Sequence, residues 1–98
     1  MYISIMYSLH KYRNGVKKFY VITPEEKIIS FGSKGYQDFT THKDPKRKAS
    51  YLKRHQVREN WKDLDKPGTW SRYLLWNKPN LDDSIIDMEK RFGIEIVY

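Results

Sequence analysis

Cysteine is missing from all 98 residues, which excludes disulfide staples and any thiolate-ligated metal. The lack fits an intracellular setting, where disulfides are rare in any case. Long apolar runs are missing as well. With no stretch of 18 apolar residues, no helix is expected to cross a membrane. Met1 to Leu9 is too short and too polar for the hydrophobic region of a secretion signal. Acidic residues are scarce against basic ones, 12 against 19. The formal charge of +7 and the pI near 9.6 favour an anionic partner: nucleic acid, an acidic protein or an anionic lipid surface.

Aromatics are abundant. Eight Tyr, four Phe and three Trp bring more buriable surface per residue than aliphatic side chains do. Together with the aliphatic residues they suffice for a modest core, so residues 1–98 read as one folded domain. No internal repeat, low-complexity tract or linker divides them. The charge, by contrast, is concentrated. Between Lys43 and Lys62 stand eight Lys/Arg against two acids, Asp44 and Glu59, while the rest of the chain holds eleven bases against ten acids. The stretch from Gly35 to Pro79, which frames this basic block with aromatics, is the segment around which the remainder is organised.

Residues 2–12 alternate with a period of two, Ile3, Ile5, Tyr7 and Leu9 on one face and Ser4, Met6, Ser8 and His10 on the other. Asn14-Gly15 then predicts a type I′ hairpin turn, which needs positive φ at both positions. That turn sets Arg13 opposite Val16, Leu9 opposite Tyr20 and Tyr7 opposite Ile22. It gathers Ile5, Tyr7, Leu9, Tyr20 and Ile22 on one surface. Thr23-Pro24-Glu25-Glu26 reads as a turn, Lys27 to Phe31 as a third strand, and Gly32 with Gly35 as its end. A loop over 32–43 leads to a helix capped by Asp44, with Pro45 as its first residue, running to about Arg58. Its apolar stripe is narrow, Ala49 with Leu52, while Tyr51 and Val57 lie off that line.

Glu59 to Gly68 reads as a loop. A second helix is expected from Thr69 as N-cap to just before Pro79, burying Trp70, Tyr73 and Leu74, with Leu75 and Trp76 widening the face. A third starts at Asn80, carries Asp82 and Asp83 in its first turn and Lys90 and Arg91 in its last, and ends on Gly93. Leu81, Ile85, Met88 and Phe92 form its stripe. Ile94 to Tyr98 is a last strand that joins the sheet. The fold class expected is α+β: an antiparallel three- to four-stranded sheet, from an N-terminal meander plus a C-terminal strand, with three helices packed on one side.

The basic segment carries the functional reading. Lys43, Lys46, Arg47, Lys48, Lys53, Arg54, Arg58 and Lys62 are candidates for phosphate contacts, with His55 and Tyr51 available to sugar or base. The plainer reading is a solvated helix face that keeps an aromatic-rich chain in solution. No zinc-finger, RRM or KH signature is present, so contacts are expected with the backbone and not with base edges. Trp70 and Trp76 belong to an apolar helix and are expected in the core; Trp61, in a charged loop, is the stacking or interface candidate. His10, His42 and His55 are dispersed and complete no ligand set, so neither a metal nor a cofactor is expected. His42-Lys43-Asp44 with Arg47 or His55 has the residue types for acid–base work on a phosphodiester, but the spacing fixes no geometry. Lys34, between Gly32 and Gly35, lacks the Gly-Lys-Ser/Thr end of a phosphate-binding loop.

Gly35-Tyr36-x-Asp38-x-Thr40-x-His42-Lys43-Asp44 is followed by Arg47-Lys48-x-x-Tyr51-x-x-Arg54-His55, then by Trp61 and by Trp70-Ser71-Arg72-x-Leu74-Leu75-Trp76-Asn77-Lys78-Pro79. This pattern resembles a family of small basic proteins encoded by large nucleocytoplasmic DNA viruses. The resemblance covers residues 32–79, roughly half the chain, extends weakly along the helix after Asn80, and omits the N-terminal hairpin and the last strand. The resemblance implies no assigned enzymatic activity and, for some members, packaging in virions. The resemblance therefore implies a setting, not a mechanism.

The expectation is a non-enzymatic, basic, virion-associated viral protein that binds nucleic acid, DNA before RNA, without sequence preference through residues 43–62. Its place is the virion, or the host cytoplasm or viral factory, and a homodimer is open to it. The first alternative is a structural protein–protein component of the virus particle that meets an acidic viral protein. The second is a small nucleic-acid-processing enzyme built around His42 and His55.

Overall fold

The computed structural model describes residues 5–98. Three strands come first, β1 (Met6–Lys11), β2 (Lys17–Ile22) and β3 (Ile28–Ser33). After them come α1 (Phe39–His42), α2 (Pro45–His55), α3 (Pro67–Trp70) continued by a π-helical turn (Ser71–Leu75), α4 (Leu81–Phe92) and β4 (Glu95–Val97). The strand order is β3-β2-β1-β4. The α+β class and the addition of the C-terminal strand to the meander are as expected. β4 runs parallel to β1, because the chain returns to that edge through a long helical crossover and not a hairpin. No helix of the described residues is long and apolar enough to cross a membrane.

The hairpin register differs from the one predicted. Leu9 faces Val21 and His10 faces Tyr20, one residue away from the Leu9–Tyr20 pairing. The cause is the turn. Gly15 has φ 99°, but Asn14 does not share a positive φ, so no type I′ turn forms, and the last rung is Tyr12 N–H to the Lys18 carbonyl at 2.9 Å. A one-residue slip turns every side chain of β2 to the other face. Val21 thus joins Tyr7 and Leu9 in the core, across from Ile29, and Phe19 pairs with Phe31. Tyr20 and Ile22 look outward instead. Ile5 is half exposed at the edge, and Ile3 lies outside the described residues.

β3 does not stop at Gly32 but runs through it to Ser33. Gly32 has φ 76°, and a Cβ there would stand 2.8 Å from Leu75 Cδ1 and 3.3 Å from Lys18 Cβ. Glycine lets the π turn press against the strand. Gly32→Ala should therefore combine left-handed strain with overpacking and destabilise the fold by about 2–4 kcal/mol. Urea denaturation measures this; an unchanged midpoint would show that the strand and the turn can separate freely.

The π turn follows from packing. Trp70, Leu74 and Leu75 are all buried, and the wider turn is closed by Trp76 N–H to the Ser71 carbonyl at 3.0 Å. Thr69 is not the N-cap. The helix starts at Pro67, and the buried Thr69 hydroxyl donates to the carbonyls of Asp63 at 2.6 Å and Asn60 at 3.2 Å, which pins the preceding loop. α4 matches its prediction at both ends: the Asn80 side chain accepts from Asp83 N–H, and Gly93 closes the helix at φ 64°. Met88 is fully buried in its stripe, with Leu81, Ile85 and Phe92 packed around the core. α3 with its π turn and α4 cover one face of the sheet; the other carries the ring pairs His10–Tyr20 and Tyr12–Tyr20.

α1 falls within the segment expected to be a loop. Asp38 caps it, accepting from Thr40 N–H at 3.0 Å and from the Thr40 hydroxyl, and Lys43 ends it in the left-handed region at φ 57°. α2 opens on Asp44 and Pro45 as predicted, yet ends at His55, where the Arg58 and Glu59 N–H groups both turn back to the His55 carbonyl. Its inner face is Lys48, Tyr51 and His55, and Ala49 is exposed.

Candidate functional site

A stack of four rings fixes α2 to the rest of the molecule. Trp76 lies flat against Tyr51, with centroids 4.2 Å apart and planes 3° from parallel. His42 leans on Trp76 at 5.3 Å, and Tyr51 passes the stack on to His55 at 4.2 Å. Burial, with the nearby Glu59 charge, pushes the Tyr51 hydroxyl up to about 12, so it stays neutral throughout the physiological range. Lys48 is drawn inward too. Its Nζ donates to the Asn77 carbonyl at 2.6 Å and sits 5.0 Å from the centre of the Phe39 ring. Desolvation, then repulsion from Arg72 and Lys78, holds its pKa below the ordinary lysine value.

On either side of this stack the surface is hollowed. One cleft, of about 490 Å³, runs between the ends of β2 and β3 and the helices; its walls include Lys18, Asp38, Tyr51, His55 and Glu59. Lys18 Nζ bridges Asp38 Oδ2 at 2.7 Å and the Tyr36 carbonyl at 2.6 Å, which anchors the loop that enters α1. A second cleft, of about 380 Å³, is lined by Tyr36, Gln37, Lys46, Arg47, Ser50, Arg54 and Trp76. The two share Tyr36, Gln37 and Trp76. A third hollow lies against Arg54, His55, Val57 and Arg58.

Among the described residues, no salt bridge involves any Lys or Arg from Lys43 to Lys62. The two acids of that stretch are occupied. Asp44 caps α2, and Glu59 lies 3.8 Å from His55 Nδ1 and fills the space that a side chain at Gly68 would need. Apart from Lys48, the cations of α2 thus face solvent without counter-charges among the described residues. Such an arrangement attracts anions and is screened by salt.

The predicted site residues separate into groups. Lys46, Arg47 and Arg54 meet in the second cleft, where Arg47 also donates to Gln37 Oε1 at 3.3 Å. His55 and Arg58 join Arg54 at the third. Lys43, Lys53 and Lys62 are exposed outside the clefts, and Lys48 is committed to the interior. Trp61 is partly buried under the Arg72 guanidinium at 5.5 Å, and its indole N–H is buried with no acceptor among the described residues, so its ring is less open than a free stacking platform. Trp76, placed by sequence in the core, does pack against it and also lines both main clefts. Tyr36 was missed; an aromatic next to glycine in a polar turn was the available signal.

His42 Nδ1 accepts from Asp44 N–H at 3.0 Å, which leaves the ring proton on Nε2, buried and without an acceptor among the described residues. His42 and His55 stand at opposite ends of the ring stack, with Trp76 and Tyr51 between them, and do not pair. Among the described residues no three His, Asp or Glu side chains group as a metal site requires.

Searches of the curated proteins and of the solved structures give no match. The family comparison does. Its match spans β1 to the end of α2, taking in the hairpin and the cleft-lining cations of α2 and stopping before Trp61. Over residues 7–55, half of its length, the sequence matches the Family of unknown function (DUF5754), and the chain belongs to that family.

Proposed function

We propose that this chain is a non-enzymatic nucleic-acid-binding protein that grips the phosphate backbone with the outer face of α2. The observation that carries the reading is that Lys46, Arg47, Lys53, Arg54 and Arg58 stand on or beside one short helix with no ion pair among the described residues. A solvated surface helix ordinarily intersperses both signs of charge. Backbone contacts position a protein without reading sequence, so affinity should be nearly independent of base order. The likeness of residues 32–79 to proteins of large DNA viruses supports a viral setting, in the particle or in the infected cell, and makes DNA the first polymer to test.

One observation favours a second reading, a structural component that meets another protein. The outward face of the sheet leaves Met6, Ile28 and Val97 exposed next to the His10, Tyr12 and Tyr20 rings. Apolar surface of this kind marks interaction sites.

Fluorescence anisotropy with a labelled oligonucleotide separates the two. If about four phosphates are neutralised, the slope of log affinity against log salt is on the order of −4. Raising salt from 50 to 200 mM should then weaken binding by roughly 10²–10³-fold. An affinity that is absent at 50 mM salt, or flat across that range, would favour the protein partner.

A further inference from the structure

The second cleft joins two kinds of recognition chemistry. Three cations, Lys46, Arg47 and Arg54, line it together with the rings of Tyr36 and Trp76. Trp76 offers only its periphery, since Tyr51 covers one face at 4.2 Å and His42 leans on it at 5.3 Å. Tyr36 is different. It is 76% exposed, and its ring makes no aromatic contact among the described residues. Its backbone, however, is held: the carbonyl accepts from Lys18 Nζ at 2.6 Å and the N–H bonds to the Ser33 carbonyl. The neighbouring Gln37 is tied to Arg47. An aromatic ring fixed at its root and bare on its faces, set beside unpaired cations, has the chemistry of a base-stacking platform.

We infer that Tyr36 stacks on an unpaired base while Lys46, Arg47 and Arg54 hold the flanking phosphates, so that the cleft selects single-stranded over double-stranded nucleic acid. In a duplex each base face is covered by its neighbours, and reaching one requires unstacking or flipping. A duplex can therefore engage the cations of α2 but not the ring. A single strand engages both. At about 380 Å³ the cleft falls within the size range of small-ligand pockets, so one base with its sugar is a reasonable occupant. This inference rests on the nucleic-acid reading above and adds the form of polymer.

The test compares the whole chain and two variants, Tyr36→Ala and Tyr36→Phe, on a fluorescein-labelled 20-mer of mixed sequence, single-stranded and as duplex, at 50 mM salt. Wild type should bind the single strand more tightly. Tyr36→Ala should weaken single-strand binding by roughly 5- to 100-fold and duplex binding by less than about twofold, while Tyr36→Phe keeps the preference. Equal affinity for both forms in wild type, or an equal loss for both in Tyr36→Ala, overturns the stacking role and leaves backbone binding intact. No binding of either form overturns both readings together. Because Tyr36 is exposed, its truncation should leave the thermal midpoint unchanged, and circular dichroism checks that the variants are folded.

Discussion

Replacing Lys46, Arg47 and Arg54 together by glutamate should weaken nucleic-acid binding by about a thousandfold or more at 50 mM salt. Each reversal forfeits an attraction of about 1 kcal/mol at contact distance in water and adds a comparable repulsion. Screening reduces the sum over three sites but does not cancel it at low salt. The salt slope should fall as well, from about −4 toward about −1, because each lost phosphate contact removes nearly one released counterion. The loss should be the same for every base sequence. Stability, in contrast, should hardly move. Lys46 and Arg47 stand in the first turn of α2, where an acidic side chain interacts well with the helix dipole, and Arg54 stands in the last, where it does not. These terms oppose one another, and all three side chains are exposed. A triple variant that binds within a factor of three of wild type would reduce the unpaired charge of α2 to a solvating surface.

What sequence could show of this fold depended on how many local signals converged. For α4, the Asn80 cap, the charge bias of its ends, the Met88 stripe and Gly93 all agreed, and its limits were legible to the residue. The start of α2 was equally legible from Asp44 and Pro45. Its buried face was not, because apolar periodicity gives no weight to a lysine held over a phenylalanine ring or a tyrosine stacked on a distant tryptophan. The first hairpin was legible from its alternation and from Asn14-Gly15, but its register was not, because tertiary pairing of Phe19 with Phe31 and Val21 with Ile29 overrode the turn that the dipeptide favours. α1 has a single turn, shorter than any periodicity can register. Only the Asp38-x-Thr40 cap announced it.

The candidate site divides in the same way. A run of bases between Lys43 and Lys62 is visible in any charge count. That three of them share a cleft with Tyr36 and Trp76 is not, since those rings lie outside the basic block on either side and reach it only through the Tyr51 stack and the Lys18 anchor. Charge is a property of composition, whereas a cleft depends on the loop before α1 and the turn after α3 arriving at one place.

Trp70→Ala should remove much of the stability of the domain. Trp70 is fully buried, its ring 5.3 Å from that of Tyr7 and 6.3 Å from that of Phe31, and it joins the sheet to the π turn. Truncating a buried tryptophan costs about 3–5 kcal/mol through lost transfer energy and the cavity left behind. The indole N–H also bonds to the Leu64 carbonyl at 2.9 Å, and leaving that acceptor unpaired adds about 1 kcal/mol or more. A domain of this size has a total stability of about 5–15 kcal/mol, so the variant should lie close to the folding threshold. Its thermal midpoint should fall by roughly 15–50 °C, at about 4–8 °C per kcal/mol. Trp70→Phe separates the two contributions, since it keeps most of the ring packing and loses the hydrogen bond. It should cost about 1–2 kcal/mol if the bond acts mainly to tie down the loop before α3. Trp61→Ala supplies the contrast, because Trp61 is only partly buried and its loss should be the smaller of the two tryptophan truncations. A midpoint that falls further for Trp61→Ala than for Trp70→Ala would mean that the core is centred on the Arg72 guanidinium and the rings around it, and not on the contact between the sheet and the π turn.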